Sequence, residues 1–465
     1  MTGQCAPAIR TVTYPIMNQY KIKKGYDLPI KGQAEKSILG STEPSRLHVH
    51  PTHFAGIKPR MLLKKGDAVK RGTPLFHDKK HPERVFVSPG AGIIEDIVLG
   101  ERRALDKVTI KLSGDDAEQF RAYKKEEVSG INREDLIDHL LKGGLWPQIR
   151  QRPFSRVANP EITPSSIFVN CMDTAPLAAD PEFNLQGKTI EFQTGIEALK
   201  VLCPTVHVVV AAGNNSSDFL KLDGVQQHSF AGKHPSGLTS THIQRIDPIV
   251  PGKQVWYLNA RDVVDIGDYL LVGQYPVERV VALAGPGASK TGYVKTRKGA
   301  PLAEIASVAG TQESVRLISG NVLVGFGDKA DDGLALYDDL VTVVPEGGHE
   351  RFLGWLIPGF SRPTFSRSYL AGFLPGRRLS MDTSLNGEER AFVKTGDYEK
   401  VMGIDVLPDV LTKAILIEDV ERMEKLGILE VDPEDFALCA YICPSKIEFC
   451  DIVSRGIEMM EAEMV

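Results

Sequence analysis

The chain has 465 residues, of which 42% are hydrophobic and 25% charged, and its formal net charge is -5. A single hydrophobic core stops growing at roughly 250–300 residues, so this length predicts three or four domains. A slightly negative chain lacks the basic surface that attracts nucleic acid or anionic lipid, so neither is an expected partner.

The most apolar runs, 206–212 and 277–284, have the length of strands. A membrane-spanning helix needs about 20 apolar residues, so no transmembrane segment is expected and any membrane contact is peripheral. The first 20 residues contain no export signal, which predicts a cytoplasmic protein. Six scattered cysteines in a reducing compartment do not indicate a disulfide framework.

Residues 1–20 are predicted to be an irregular tail, and Met17 is a candidate start. Short β runs separated by glycines occupy 56–112, which predicts a small β barrel or sandwich. The runs 66–75 and 88–92 resemble a biotinyl/lipoyl carrier domain. Lys79 and Lys80 lack the sequence context of a modified carrier lysine, so we interpret them as part of a solvated hairpin.

Strands alternate with helices between about 130 and 260, as in the strand 166–170, the helix 191–202 and the strand 206–211. This alternation predicts an α/β layer with parallel strands. A helix over 262–273 and a strand over 277–284 follow.

A smaller β-rich unit is predicted to run to about residue 326, with a helix at 303–309 and a turn at 316–320. After the Gly/Pro/Arg-rich stretch 354–378 the chain is expected to be helical. Asp432 is predicted to be an N-cap, with a proline at the first helical position. One face of the last helix is expected to lie in a core and carries Ile447, Cys450, Val453, Ile457 and Met460.

The sequence does not match either of two nucleotide-binding motifs at the required spacing. The run 285–291 mimics a phosphate loop, but Ser289 and Ala284 stand where that loop requires glycine. No G-x-G-x-x-G follows a strand, so dinucleotide binding is not indicated. Two groups of histidines lack supporting ligands at recognised spacing and are interpreted as loop histidines without a metal: His48, His50 and His53, and His228, His234 and His242.

Cys439 and Cys443, followed by Pro444, match the second half of a bacterial ferredoxin motif. The two upstream ligand positions hold Pro433 and Phe436, which cannot bind iron. A four-iron cluster needs four thiolates, so the motif is interpreted as degenerate, with both cysteines buried in a helical core.

Several runs together resemble one family, the A subunits of the bacterial sodium-translocating NADH:quinone oxidoreductase. The resemblance extends from about residue 20 to the end and is carried by residues 22–30, 192–199, 237–242, 247–248, 251–256 and 278–286. Two related families, the flavoprotein subunits of complex I and the C subunits of Rnf, carry cofactors. Asn170 and Asp173 match part of their flavin-side strand, and Gly143-Gly144 matches a fragment of their flavin loop.

The resemblance implies a multidomain α/β fold with six segments: a tail (1–20), a biotinyl/lipoyl-like barrel-sandwich domain (21–115), a Rossmann-like α/β domain (125–258), a soluble-ligand-binding β-grasp (SLBB-like) domain (259–330), a linking segment (331–378) and a C-terminal helical domain (379–465).

It also implies a peripheral subunit on the cytoplasmic face of the inner membrane, bound to integral subunits. The implied complex reduces ubiquinone with NADH, transports Na+ and uses flavins and iron–sulfur centres, whereas this chain is expected to bind no cofactor or metal and to supply no catalytic residue. Aromatic and basic residues between 351 and 369 have the composition of a quinone site or interface. The candidates are Trp355, Phe360, Arg362, Phe365 and Arg367.

Two alternatives remain open at this point. A self-sufficient flavin or iron–sulfur electron carrier of the Rnf C type would absorb visible light and contain iron. A biotin or lipoyl carrier would show added mass on Lys79 or Lys80.

Overall fold

The computed structural model describes residues 17–100, 103–213, 219, 221–327, 332–347, 356–374 and 376–464. Within these ranges no helix is both long enough and apolar enough to cross a membrane. Four β-sheets and two groups of helices surround one central cavity.

The first part of the chain forms a small β domain of two sheets, as the sequence predicted. Its strands pair in the orders β3-β9-β8-β5 and β4-β6-β7, and their apolar side chains close a core between the sheets. Strands β1 and β2 leave this domain and join other sheets. The strands are β1 (Asn18–Lys21), β2 (Ile38–Ser41), β3 (Arg46–Val49), β4 (Pro59–Met61), β5 (Ala68–Val69), β6 (Pro74–Asp78), β7 (Val85–Val87), β8 (Gly92–Leu99) and β9 (Leu105–Leu112).

The prediction of an irregular tail is wrong at its C-terminal end. Strand β1 adds to the edge of the α/β sheet, where Tyr20 stacks on Phe230 with ring centres 4.8 Å apart. The following segment then crosses the molecule: the amide of Gly25 donates to the carbonyl of Lys400, and that of Lys31 to the carbonyl of Leu379. Residues 22–34, the N-terminal strap, thus join three parts of the fold.

The second part is the α/β domain, with a sheet in the order β1-β14-β13-β12-β15-β10-β11. Strands β12 to β15 are parallel, as predicted, and the pair β10–β11 adds an antiparallel edge. The elements are α1 (Lys125–Val128), α2 (Arg133–Lys142), β10 (Arg150–Arg152), β11 (Arg156–Val157), β12 (Ser166–Asn170), α3 (Pro181–Asn184), α4 (Thr189–Leu202), β13 (Val206–Ala211), β14 (Gln226–Ala231), α5 (Thr239–Ile246), β15 (Val255–Asn259) and α6 (Ala260–Val272).

Helix α6 shows how local sequence sets its own boundaries. Asn259 and Asp262 form a reciprocal capping box at its start, and Gly273 ends it in the left-handed conformation that glycine adopts without strain. Helices α4 and α6 approach closely because each presents a glycine, Gly195 and Gly267, at their contact. The predicted helix over 262–273 is confirmed.

The third part is a β-grasp sheet in the order β18-β19-β16-β17-β2, packed on one helix. The predicted turn at 316–320 is wrong: Val315–Ser319 is a strand paired antiparallel with β19, and only Gly320 turns. Its elements are β16 (Glu278–Ala284), β17 (Gly292–Arg297), α7 (Leu302–Ser307), β18 (Val315–Ser319) and β19 (Leu340–Pro345).

The last part is helical, as predicted. Asp432 caps a single 3-10 turn, Pro433–Phe436, with Asp435 completing a capping box, and that turn leads directly into α11. Ile447 precedes the last helix instead of lying in it, whereas Val453, Ile457 and Met460 are buried on its core face. The helices are α8 (Tyr398–Val401), α9 (Pro408–Leu416), α10 (Val420–Lys425), α11 (Ala437–Ile442) and α12 (Phe449–Met464).

Candidate functional site

A cavity of about 960 Å3 lies where the four parts of the chain meet. Strands β12 and β15 end at it, and their last residues, Asn170 and Asn259, are polar. In open parallel sheets ligands bind outside the carboxyl ends of the strands, and ligand cavities measure roughly 300–1,000 Å3. The position and the size of this cavity therefore suit a small-molecule site.

The walls of the cavity differ in chemistry. Apolar side chains come from the β domain and the β-grasp domain, and they include Phe54, Ile57, Leu105 and Phe326. Arginines come from the α/β domain, and carboxyl groups come from the α/β, β-grasp and helical domains. A ligand with an apolar part and a polar head matches this division.

Arg150 is the central basic residue of the site. On β10 it lies directly opposite Tyr257 of β15, and its guanidinium carbon is 4.5 Å from the centre of that ring. Tyr337 covers the other side at 4.4 Å, held by a 2.6 Å hydrogen bond from its hydroxyl to the carbonyl of Pro147. Within the described ranges no carboxylate pairs with Arg150 within 4.0 Å. The guanidinium is therefore fixed in orientation but has no anionic partner.

The neighbouring Arg152 has a structural role. Two residues along β10 it lies on the same face as Arg150, because side chains alternate along a strand. Its Nη2 lies 3.3 Å from a carboxylate oxygen of Asp432, which also accepts from the Ser155 hydroxyl. This pair connects the α/β domain to the helical domain.

Several carboxyl groups also line the cavity. Burial raises the pKa of Asp173 and of Asp338 to about 6. Burial, together with Asp432, Asp173 and Asp435, raises the pKa of Glu434 to about 8. Near neutral pH Glu434 therefore keeps its proton more readily than Asp173 and Asp338 do.

Of the predicted quinone or interface residues, the four within the described ranges do not line this cavity. Phe360 and Arg367 are exposed, whereas Phe365 packs edge-on against Tyr26 at 5.3 Å. Arg362 lies over the ring of Tyr369 at 5.7 Å. Trp355 lies outside the described residues. Their role stays a prediction.

The glycines and backbone amides that would have to hold a phosphate already make packing contacts and hydrogen bonds within the protein. A Cβ at Gly143 would collide with the ring of Tyr269, and one at Gly144 with Val87, so this pair packs against its own protein. In the loop that mimics a phosphate loop, the amide of Gly285 donates to Gly32 and that of Ser289 to Gly310. The residues present do not fit a flavin or nucleotide phosphate at either place.

The ferredoxin-like cysteines are core residues, as predicted. Cys439 and Cys443 are 0% and 1% exposed, and the thiol of Cys443 lies 3.2 Å from the hydroxyl of Tyr398. Within the described part of the chain, no group of three or more His, Cys, Asp or Glu side chains is arranged to hold a metal ion. The thiols at 439 and 443 therefore do not fit an iron–sulfur cluster.

The prediction that all six histidines lie in loops is wrong. His48, His228 and His242 lie in β3, β14 and α5. His53 lies between the rings of His50 and Phe326, and burial lowers its pKa to about 3. Lys79 and Lys80 are exposed in the β6–β7 hairpin, which confirms that the segment is a hairpin.

Arg150, Tyr257, Tyr337 and Glu434 were not identified from the sequence. Each lies in a different element, and Tyr337 and Glu434 belong to other domains than Arg150. The only local sequence feature at this site is the pair Arg150 and Arg152 beside Pro153. This pair does not indicate a binding site unless the residues that lie opposite it in the fold are known.

These domains around one cavity define a multidomain protein with barrel-sandwich, α/β and SLBB domains. Three family models match it: "NqrA N-terminal barrel-sandwich hybrid domain" over 20–113, "NqrA second alpha/beta domain" over 131–275 and "NQRA C-terminal domain" over 280–329. The chain belongs to the NqrA family, which comprises the A subunits of the Na(+)-translocating NADH-quinone reductase.

Full-length relatives agree with this assignment. The A subunit of the Na(+)-translocating NADH-quinone reductase of Pseudomonas aeruginosa (strain UCBPP-PA14) is 40% identical over 444 residues, covering 95% of this chain and 99% of that protein. Its counterpart in Haemophilus influenzae (strain KW20 / Rd) is 37% identical with the same coverage. A solved NAD+-reducing [NiFe]-hydrogenase is similar at 11% identity and a TM-score of 0.40, over 73% of this chain and 64% of that one.

Proposed function

We propose that this chain is a cofactor-free, peripheral subunit of the sodium-translocating NADH:quinone oxidoreductase and that its central cavity binds the quinone. The observation that carries the proposal is Arg150, fixed between Tyr257 and Tyr337 with no carboxylate partner in the described ranges. A quinone head group is flat and offers two carbonyl oxygens, and a guanidinium donates planar, paired hydrogen bonds. The apolar wall around Phe54 suits an isoprenoid tail.

The electrons are proposed to travel through other subunits. The glycines at 143–144 and the thiols at 439 and 443 are occupied by packing inside this protein, which favours a chain that holds no flavin and no iron–sulfur cluster. The isolated chain is expected to be colourless and inactive. Stoichiometric flavin or iron in the purified chain would contradict this part of the proposal.

The linking segment is proposed to contact integral subunits at the cytoplasmic face of the inner membrane. Between 356 and 374 it exposes five large apolar side chains, and arginines lie beside them at 362, 367, 377 and 378. Apolar anchors with arginine are typical of protein interfaces. The exposed side chains are Leu356, Phe360, Leu370, Phe373 and Leu374.

Quinone binding is tested with Arg150→Met in the intact, purified complex. Hydrogen bonds to a charged group contribute about 1.5–3 kcal/mol, so the KM for a short-chain quinone is expected to rise about 10- to 100-fold. The control is Arg46→Met, which removes an exposed arginine paired with Glu95. An unchanged KM in an assembled Arg150→Met complex would refute the site.

Docking is tested with Phe373→Asp. Phe373 is 62% exposed, so the chain is expected to fold but to be lost from the complex during affinity purification through another subunit. Ile190→Asp changes a similarly exposed residue, at 60%, in the α/β domain and is expected to be retained. Equal retention of both variants would argue against the linking segment as the docking surface.

A further inference from the structure

Glu434 differs from Asp173, Asp338 and Asp432, which also line the cavity, in having no partner within the described ranges. Asp432 pairs with Arg152 and Ser155, and Asp435 accepts from the amide of Asp432 at 2.7 Å. In the same ranges no side chain donates a hydrogen bond to the Glu434 carboxyl, and no basic group lies within 4.0 Å of it. Because Glu434 lines the cavity, its carboxyl is free to meet a ligand.

The charges that face Glu434 come from three elements. Asp432 and Asp435 belong to its own turn, Asp173 follows β12, and Arg150 lies on β10. Burial and the three carboxylates favour the protonated form, whereas Arg150 opposes it, and the net result is a pKa of about 8. A carboxylic acid with this pKa is matched to proton transfer near neutral pH.

We propose that Glu434 donates a proton to the quinone oxygen when the quinone is reduced in the cavity, an assignment that rests on the proposed function. Glu434 and Arg150 both line this cavity. In the proposed binding mode one carbonyl of the ring accepts from the guanidinium and the other meets the carboxylic acid. Glu434 is thereby a catalytic residue, and Arg150 orients the ring.

Protons and electrons balance in this step. Two electrons originate in NADH and reach the quinone through redox groups of other subunits. As the quinone oxygen gains electrons, an O–H bond forms to it and the O–H bond of the Glu434 carboxylic acid breaks. Water at the mouth of the cavity supplies the second proton and returns one to the Glu434 carboxylate. The products are a quinol and an unchanged protein.

Two other cavity carboxyls whose pKa values are raised by burial, Asp173 and Asp338, are less suited to this step. Asp173 accepts from the amide of Ala175 at 2.7 Å and Asp338 from the hydroxyl of Ser319 at 2.6 Å, contacts that favour their ionised forms. With pKa values of about 6, both are mainly ionised at pH 7. Of these three carboxyls, Glu434 is therefore the one that holds a proton at neutral pH.

The experiment measures quinone reduction by the intact complex with Glu434→Gln, Glu434→Asp and the control Glu421→Gln, an exposed residue of α10. A general acid typically accelerates a reaction about 10²- to 10⁴-fold. Because water can donate the proton in its place, although less effectively, kcat for Glu434→Gln at pH 7 is expected to fall at least about 10-fold with little change in KM. The wild-type kcat is expected to decline as pH rises through about 8, the pKa of Glu434, and this decline is expected to vanish in Glu434→Gln. Glu434→Asp is expected to restore part of the rate.

Two failures are distinguishable. If Arg150→Met raises the quinone KM but Glu434→Gln keeps the wild-type kcat and pH profile, the quinone site stands and the proton donor is wrong. If neither variant changes quinone kinetics, the cavity is not the quinone site. Reduction of ferricyanide by NADH, which needs no proton at the quinone, must be unchanged in Glu434→Gln; a parallel loss there would assign Glu434 a structural role and overturn the inference.

Discussion

A buried carboxylate connects the α/β domain to the β-grasp domain, and its replacement gives the sharpest test of the packing. Asp265 of α6 accepts from Arg279 of β16 at 3.0 and 2.6 Å and from Gln148 at 3.0 Å, and it forms an ion pair with Lys298 at 2.9 Å. All four residues are 5% exposed or less. Asp265→Asn keeps the shape but leaves the buried guanidinium of Arg279 without its counter-ion, and it removes the ion-pair partner of Lys298, whose pKa burial and Arg279 already lower to about 7.

Removing one partner of a buried ion pair costs about 3–5 kcal/mol. Unfolding entropy is about 2 cal/mol/K per residue, or roughly 1 kcal/mol per degree for a chain of this length. Asp265→Asn is therefore expected to lower Tm by about 3–5 °C if the chain unfolds as one unit, and by more if the α/β domain unfolds alone.

The sign of the pH dependence gives a second readout. Burial opposes ionisation of Asp265, but Arg279 and Lys298 outweigh it and lower its pKa well below the ordinary value. The resulting stability is present above the unfolded pKa of about 4 and is lost as pH falls toward the folded value. In Asp265→Asn the acid-side loss of Tm is expected to be shallower.

Differential scanning calorimetry at pH 7 and pH 3 measures both effects. The matched control is Asp138→Asn in α2 of the same domain, whose ion pair with Lys142 is exposed and contributes about 0.5 kcal/mol or less. If Asp265→Asn lowered Tm no more than Asp138→Asn, the reasoning from buried charge would be refuted.

Two further substitutions test the packing elsewhere. Gly267→Ala places a methyl group against the carbonyl of Glu191 on α4, so the free energy of unfolding measured by calorimetry is expected to fall by about 1–3 kcal/mol or more. The control Gly130→Ala, where the nearest atom is 3.5 Å away, is expected to have little effect. Equal Tm values for the two variants would contradict the close contact of α4 and α6. Tyr398→Phe removes the hydrogen bond to Cys443 and is expected to lower the free energy of unfolding by about 1 kcal/mol without changing the iron content of the chain. A change in bound iron would show that the thiols hold a metal.

Features set by neighbouring residues were predictable from the sequence. The capping residues and the terminal glycine of α6 identify a helix, and the missing ligands at 433 and 436 identify Cys439 and Cys443 as core thiols. Features set by distant pairing were not. The segment 315–319 is a strand only because β19 lies beside it, and β2 joins a sheet formed by residues about 250 positions later.

The candidate site was missed for the same reason. Arg150 is a candidate site residue because Tyr257 and Tyr337 flank it, and Glu434 because Asp173 lies near it. The fold brings these residues together from positions far apart in the sequence. The aromatic and basic composition around 360 was visible in the sequence, but composition alone does not separate an outward-facing segment from a cavity wall.

The N-terminal strap has a consequence for synthesis. Residues 22–34 are translated early, but Pro29 and Lys31 pair with Leu379, about 350 positions later. At about 5–20 residues per second the ribosome needs roughly 20–70 s to reach that partner. Until then Leu28 and Ile30, nearly inaccessible to water in the finished protein, have no complete binding surface. The nascent chain therefore exposes an apolar, aggregation-prone segment during most of its synthesis, and such a segment is a typical binding site for chaperones.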